Sequence, residues 1–210
     1  EIVALLASPL HRYEGRPSDG PRDPGGREVQ HAIEVRAGLG IVGDRYFGQA
    51  AHVTASVTVQ SIEALEHVER TLGLTHSLNP ADTRRNIIVR GMPVDDLRGQ
   101  PFSLDSGQGE VLFTAHRPAN PCAWMDITLA PGAHRALRGR GGMRCSPLTS
   151  GTLTTGSAVL RTRRRPAGTR SPVQGRRLAV SQQSKGGVSR REAIKQTGQV
   201  VAASALAGVV

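Results

Sequence analysis

Apolar positions along the chain fall into short runs of strand-like alternation, separated by stretches rich in glycine, proline and charge. Ile2–Ala7 is a continuous apolar run that predicts a first strand, and His31–Arg36 is a candidate second one. Val53, Ala55, Val57 and Val59 alternate with polar neighbours, so His52–Gln60 reads as a half-buried strand. Ile62, Leu65, Val68 and Leu72 then follow helical spacing, with Ser61 as the cap, Glu63 in the first turn and Gly73 as the stop. Ile87–Arg90 predicts another strand. Pro101–Leu104 and Glu110–His116 flank Asp105–Gly109 as a hairpin-like pair, and Met143–Leu148 and Thr152–Leu160 close the pattern around Ser150-Gly151. Ala133–Leu137 is long enough for one helical turn. Seven or eight short strands with two or three small helices predict a mostly β, barrel-like domain.

Charge divides the chain. Residues 1–160 carry 16 arginines, no lysine and 16 acidic residues, whereas 161–210 carry the whole net charge of +10. The expected organisation is therefore a domain over 1–160, a disordered arginine-rich linker over 161–188 and a distinct segment over 189–210. That last segment pairs Arg190-Arg191 with a small-residue apolar run and resembles the start of a twin-arginine export signal. Such signals work at an N-terminus, so a neighbouring reading frame joined near Val188 is the expected source, with a C-terminal helix as the alternative. The tail holds no Phe, Tyr or Trp to stack on bases, which argues against specific nucleic-acid recognition. No apolar run reaches the length of a membrane span. Cys122 and Cys145 give neither a disulfide framework nor a zinc-ligand spacing, and free thiols fit a reducing, cytoplasmic setting. The chain opens at Glu1 on an apolar run without Met, as a fragment would.

Chemistry concentrates around His116–Asp126. A strand runs into two prolines, and Cys122 opens what reads as a short helix, beside Arg117. A free thiol has a pKa of about 8.5, and a helix N-terminus with a nearby cation favours the nucleophilic, metal-binding thiolate. A small buried hydrophobe is the plain alternative. Arg84-Arg85 beside Asn86 forms a candidate anion clamp, because guanidinium matches phosphate bidentately; a solvated pair is the alternative. Gly38–Gly48 is glycine-rich but lacks the phosphate-loop ending and the dinucleotide fingerprint.

Taken in order, Gly40–Arg45, Thr83–Gly91, Pro121-Cys122 and Arg138–Gly142 resemble the MOSC family, found at the C-terminus of molybdenum cofactor sulfurases and as small bacterial proteins. The resemblance covers roughly residues 1–160. It implies a barrel-like β fold that binds the molybdenum cofactor (molybdopterin), with Cys122 as the catalytic residue and metal ligand. By the same resemblance Arg84, Arg85 and Asn86 lie near the pterin phosphate, joined by Asp44, Arg45 and Arg140. Two departures stand out: Tyr46 follows Gly-Asp-Arg where many relatives have His, and Ala119 stands where many carry a second cysteine. Cys145 matches no family motif and reads as core. Pyridoxal phosphate needs a lysine Schiff base, and 1–160 contains no lysine, so that cofactor is not expected in this domain.

Two functions follow from the resemblance. One is an enzyme domain acting in sulfur transfer or in reduction of N-hydroxylated compounds, served by an electron-donor or sulfur-donor protein. The other is a non-catalytic carrier that holds a persulfide on Cys122 for a partner enzyme. The arginines are expected to converge on one pocket beside Cys122.

Overall fold

A computed structural model describes residues 1–162, which are mostly strand with a few short helices. In chain order these are β1 (Ile2–Leu6), β2 (Val29–Gln30), β3 (Ala32–Arg36), β4 (Gly40–Ile41), β5 (Val57–Ser61), α1 (Glu63–Leu72), β6 (Ile87–Val89), β7 (Pro101–Asp105), β8 (Glu110–Pro118), α2 (Trp124–Thr128), α3 (Ala133–Ala136), β9 (Met143–Pro147), β10 (Gly151–Thr154) and β11 (Val159–Thr162). The tail expectations for 163–210 lie outside the described residues.

Eight strands form one sheet in the order β11-β7-β8-β9-β5-β6-β1-β2, and β10-β3-β4 form a second. Every pairing is antiparallel except β5 with β6, where α1 supplies the crossover that a parallel pair requires. Gly156, just before the edge strand β11, exchanges two backbone hydrogen bonds with Ile2 of β1 near the other edge (2.8 and 2.9 Å). The large sheet thus curls back toward its own start, which makes it barrel-like.

The strand alternation sorts side chains into two cores. Val57, Val59, Ile87, Val89, Phe102 and Phe113 meet Ile33, Val35, Ile41 and Leu153 of the smaller sheet. On the other face Ala4, Leu6 and Ile88 pack against Leu65 and Val68 of α1, Trp124 and Met125 of α2, and Ala133 of α3. Ile87–Val89 is buried throughout because both faces of β6 are covered.

Two expectations needed correction. Residues 50–55 form a 3-10 helix rather than the start of a strand, leaving Val53 exposed. The amides of Gln49 and His52 are already bonded to Tyr46 and Gln49 carbonyls, so they cannot join a ladder. Residues 152–160 split into β10 and β11 because Gly156, at φ 115°, turns the chain toward Ile2. β11 extends two residues past the charge boundary at 160, with Arg161 and Thr162 paired to Ser103 and Phe102.

Candidate functional site

The cysteine loop is positioned by its two ends. The β8–β9 register shifts between Ala115 and Arg117, a bulge at His116 that re-aims the chain. Beyond it, the buried Ala119 donates its N–H to the Gly142 carbonyl (2.8 Å). At the far end the Cys122 carbonyl accepts from Met125 N–H (3.0 Å) and leads into α2, so Cys122 precedes the helix rather than opening it. Trp124 and Met125 are buried and anchor the loop, with Trp124 stacked on Tyr13 at 5.1 Å. Cys122 is left exposed, whereas Cys145 is buried in the core and burial pushes its thiol far up. The core reading of Cys145 is therefore correct.

The glycines of Arg138–Gly142 have a steric task. A Cβ on Gly141 would overlap the Ala119 carbonyl oxygen, and one on Gly142 would overlap the Val59 carbonyl. Backbone can approach this closely only without side chains. Arg85 fastens the same contact: its Nε donates to Gly141 O (2.8 Å) and its Nη2 to Ala119 O (2.6 Å). Burial first, and then the like charge of Arg144, pull the Arg85 guanidinium down to about 10, opposed by Cys122 and Asp95.

Asp44 and Asn86 form a buried polar node. Asn86 donates to Asp44 Oδ2 (3.0 Å) and to Leu6 O (3.2 Å), and its Oδ1 accepts from the amide and hydroxyl of Thr58 (2.9 and 2.8 Å). Asp44 also accepts from the amides of Ser8 and Tyr46. Both side chains are thus engaged with neighbouring strands and loops, and they fix where Arg45 and Arg85 begin. Arg84 is ion-paired with Glu28, bonds Leu10 O (3.2 Å) and lies over the Tyr13 ring.

These elements enclose a cavity of about 190 Å³. Cys122 lines it together with Arg45, Arg84, Arg85 and Arg144, and its wall contains no carboxylate. A smaller cavity of about 60 Å³ shares all four arginines and is floored by Asp44 and Asn86. Arg45 Nε is buried with no hydrogen-bond partner among the described residues. So the structure brings together Cys122, Arg45, Arg84 and Arg85, with Asp44 and Asn86 beneath. It does not bring Arg140, whose side faces a separate cleft of about 520 Å³ shared with Asp95 and Asp96. The Arg140 carbonyl is held by Gln60 (3.0 Å), which turns this part of the loop away. Sequence reasoning missed Arg144, Tyr13 and His11. The alternation of β9 carried the first of these: Met143 and Cys145 are buried, so Arg144 between them faces the cavity.

The described residues form a small, mostly β domain with an exposed thiol beside an arginine-lined cavity. The MOSC domain model matches residues 44–160, and the chain belongs to that family, which is associated with molybdenum cofactor binding. Its fold is similar to that of the YuaD protein from Bacillus subtilis, with a TM-score of 0.53 and 19% identity, covering 76% of this chain and 93% of that one. YiiM from Escherichia coli is also similar, with a TM-score of 0.50 and 16% identity, covering 78% and 70% respectively. At such identities the likeness concerns the fold alone. No curated protein matches the chain in sequence.

Proposed function

We propose that this chain binds a molybdenum–pterin cofactor at the Cys122 cavity and acts in sulfur transfer or in reduction of N-hydroxylated compounds. The observation that carries this reading is the wall of the cavity: four arginines, a soft sulfur donor and no carboxylate. Guanidinium groups suit a phosphate, and a thiolate suits a soft metal. The orphaned Arg45 Nε is a donor that an anionic ligand would satisfy. No cluster of three His, Cys, Asp or Glu among the described residues could hold a metal unaided. Cys122 would supply the one soft sulfur ligand from this chain to a metal otherwise held by its pterin. The cofactor, when bound, supplies the redox and sulfur chemistry of molybdenum. The chain's own residues then divide the work. Arg45, Arg84, Arg85 and Arg144 provide the cationic wall, Cys122 presents sulfur, and Asp44 with Asn86 holds the floor. An electron-donor or sulfur-donor protein would complete the reaction.

A second reading, a sulfur carrier with a persulfide on Cys122, is favoured by one observation. The exposed Cys122 has no companion thiol, since residue 119 is alanine and Cys145 is sealed in the core. A persulfide there would not be resolved within the chain. Elemental and pterin analysis of the purified full chain separates the two. Stoichiometric molybdenum with a pterin supports the cofactor site, and sulfane sulfur without metal supports the carrier.

A further inference from the structure

The four arginines beside Cys122 are not equivalent. Arg84 is neutralised by Glu28, with both side chains at least nine-tenths buried. Arg85 spends its donors on the carbonyls of Thr83, Ala119 and Gly141. Arg144 has no ion pair or side-chain hydrogen bond among the described residues, and Arg45 has a long contact to Leu10 O (3.3 Å) and lies over the Tyr46 ring at 4.6 Å, with its Nε orphaned. Arg144 also stands opposite another arginine, Arg117, in the β8–β9 register. Like charges paired across strands repel, and Asp44, which lines the smaller cavity, forms no ion pair with Arg45 or Arg144 among the described residues.

We propose that Arg144 and Arg45 together form an oxyanion-binding site beside the Cys122 thiol, while Arg84 and Arg85 act as positioning residues. The ligand class is a compact oxyanion such as a phosphate, a sulfonate or a carboxylate. A cavity of about 190 Å³ has room for such a group with its water, at ~30 Å³ per water. The inference rests on the proposed site, though not on molybdenum occupying it. Burial chiefly lowers the proton affinity of Arg85, and the like charges of Arg144 and Arg45 lower it further.

Alkylation tests it directly, because Cys122 is exposed and Cys145 is not. The thiolate sulfur displaces iodide from iodoacetate, which is anionic, or from iodoacetamide, which is neutral; an S–C bond forms as the C–I bond breaks. The reaction is run on the full chain made in cells that lack the pterin cofactor, so that the thiol is uncovered. The iodoacetate-to-iodoacetamide rate ratio should exceed that of glutathione by about tenfold. Arg144→Gln and Arg45→Gln should each lower it at least about threefold, while Arg138→Gln, in the separate cleft, should not. In the unaltered chain inorganic phosphate should slow iodoacetate more than potassium chloride at equal ionic strength, which keeps the test decisive even if a variant folds poorly. Phosphate titration of the cofactor-loaded chain identifies the source: lost binding means that the cofactor's own phosphate fills the pair, retained binding that a substrate anion does. A ratio unmoved by Arg144→Gln, or lowered as much by Arg138→Gln, or phosphate no more effective than chloride, would overturn the proposal.

Discussion

Arg84 is the one non-glycine residue among those described with a left-handed backbone, at φ 58°, and its ion pair with Glu28 shows what holds it there. Burial alone would raise the Glu28 carboxyl, but a Ser8 hydrogen bond and the Arg84 and Arg12 guanidiniums outweigh it and hold it below the usual range. The unfolded chain, with glutamate near ~4.3, takes up its proton first as the pH falls. Stability from this pair is therefore complete above that value and is lost as the pH drops through the lower folded pKa. Asp82 and Asp95, both pushed up by burial, work in the opposite direction, so the test compares a variant with its parent. Glu28→Gln should cost about 3 kcal/mol near neutrality by denaturant unfolding, since Arg84 is left buried without a counter-charge, and that cost should shrink toward pH 3. A cost independent of pH would remove Glu28 as its source. Much of the candidate cavity's lining was legible residue by residue: Cys122, Arg45, Arg84 and Arg85 all line it. The pairing of Arg84 with Glu28 was not, because 56 residues separate them and nothing local announces a long-range ion pair.

At the scale of elements, the loop Arg138–Gly142 is a spacer between β5, the cysteine loop and the 3-10 turn at Val94–Leu97. Gly142 N–H donates to Asp95 (2.9 Å), Gly141 accepts from Arg85, and neither glycine has room for a Cβ. Gly141→Ala should therefore lower the melting temperature by at least about 4 °C and, by loosening the loop, speed iodoacetamide alkylation of Cys122. An alanine variant that melts with its parent would show the packing to be slack. The strands themselves were legible wherever apolar alternation met an available partner, as in β5, β7, β8 and β9. Alternation failed at Val53 because the 3-10 bonding of the preceding turn had already consumed the amides. It also failed across 152–160, where a single glycine reverses the path. Periodicity reports which side chains could share a face; it does not report where the backbone hydrogen bonds have gone.

For the whole molecule, the strand pairing runs past the charge boundary at residue 160. β11 closes the edge beside β7, Leu160 and Ala158 pack against the core, and Gly156 ties this end to β1. A chain ending at Thr162 should melt within about 2 °C of the full chain, whereas one ending at Ser157 should melt several degrees lower; equal melting temperatures would show the edge strand to be dispensable. The two thiols give the sharpest test of the function. Cys122 is exposed at the cationic cavity and Cys145 is sealed between the sheets, so their substitutions should separate binding from folding. The measurement is molybdenum and pterin retained per chain after gel filtration of the parent, Cys122→Ser and Cys145→Ser. Loss in Cys122→Ser with an unchanged melting temperature, together with retention in Cys145→Ser at some cost in stability, is the predicted result. Full retention in Cys122→Ser, or loss confined to Cys145→Ser, would contradict the assignment of the site to Cys122.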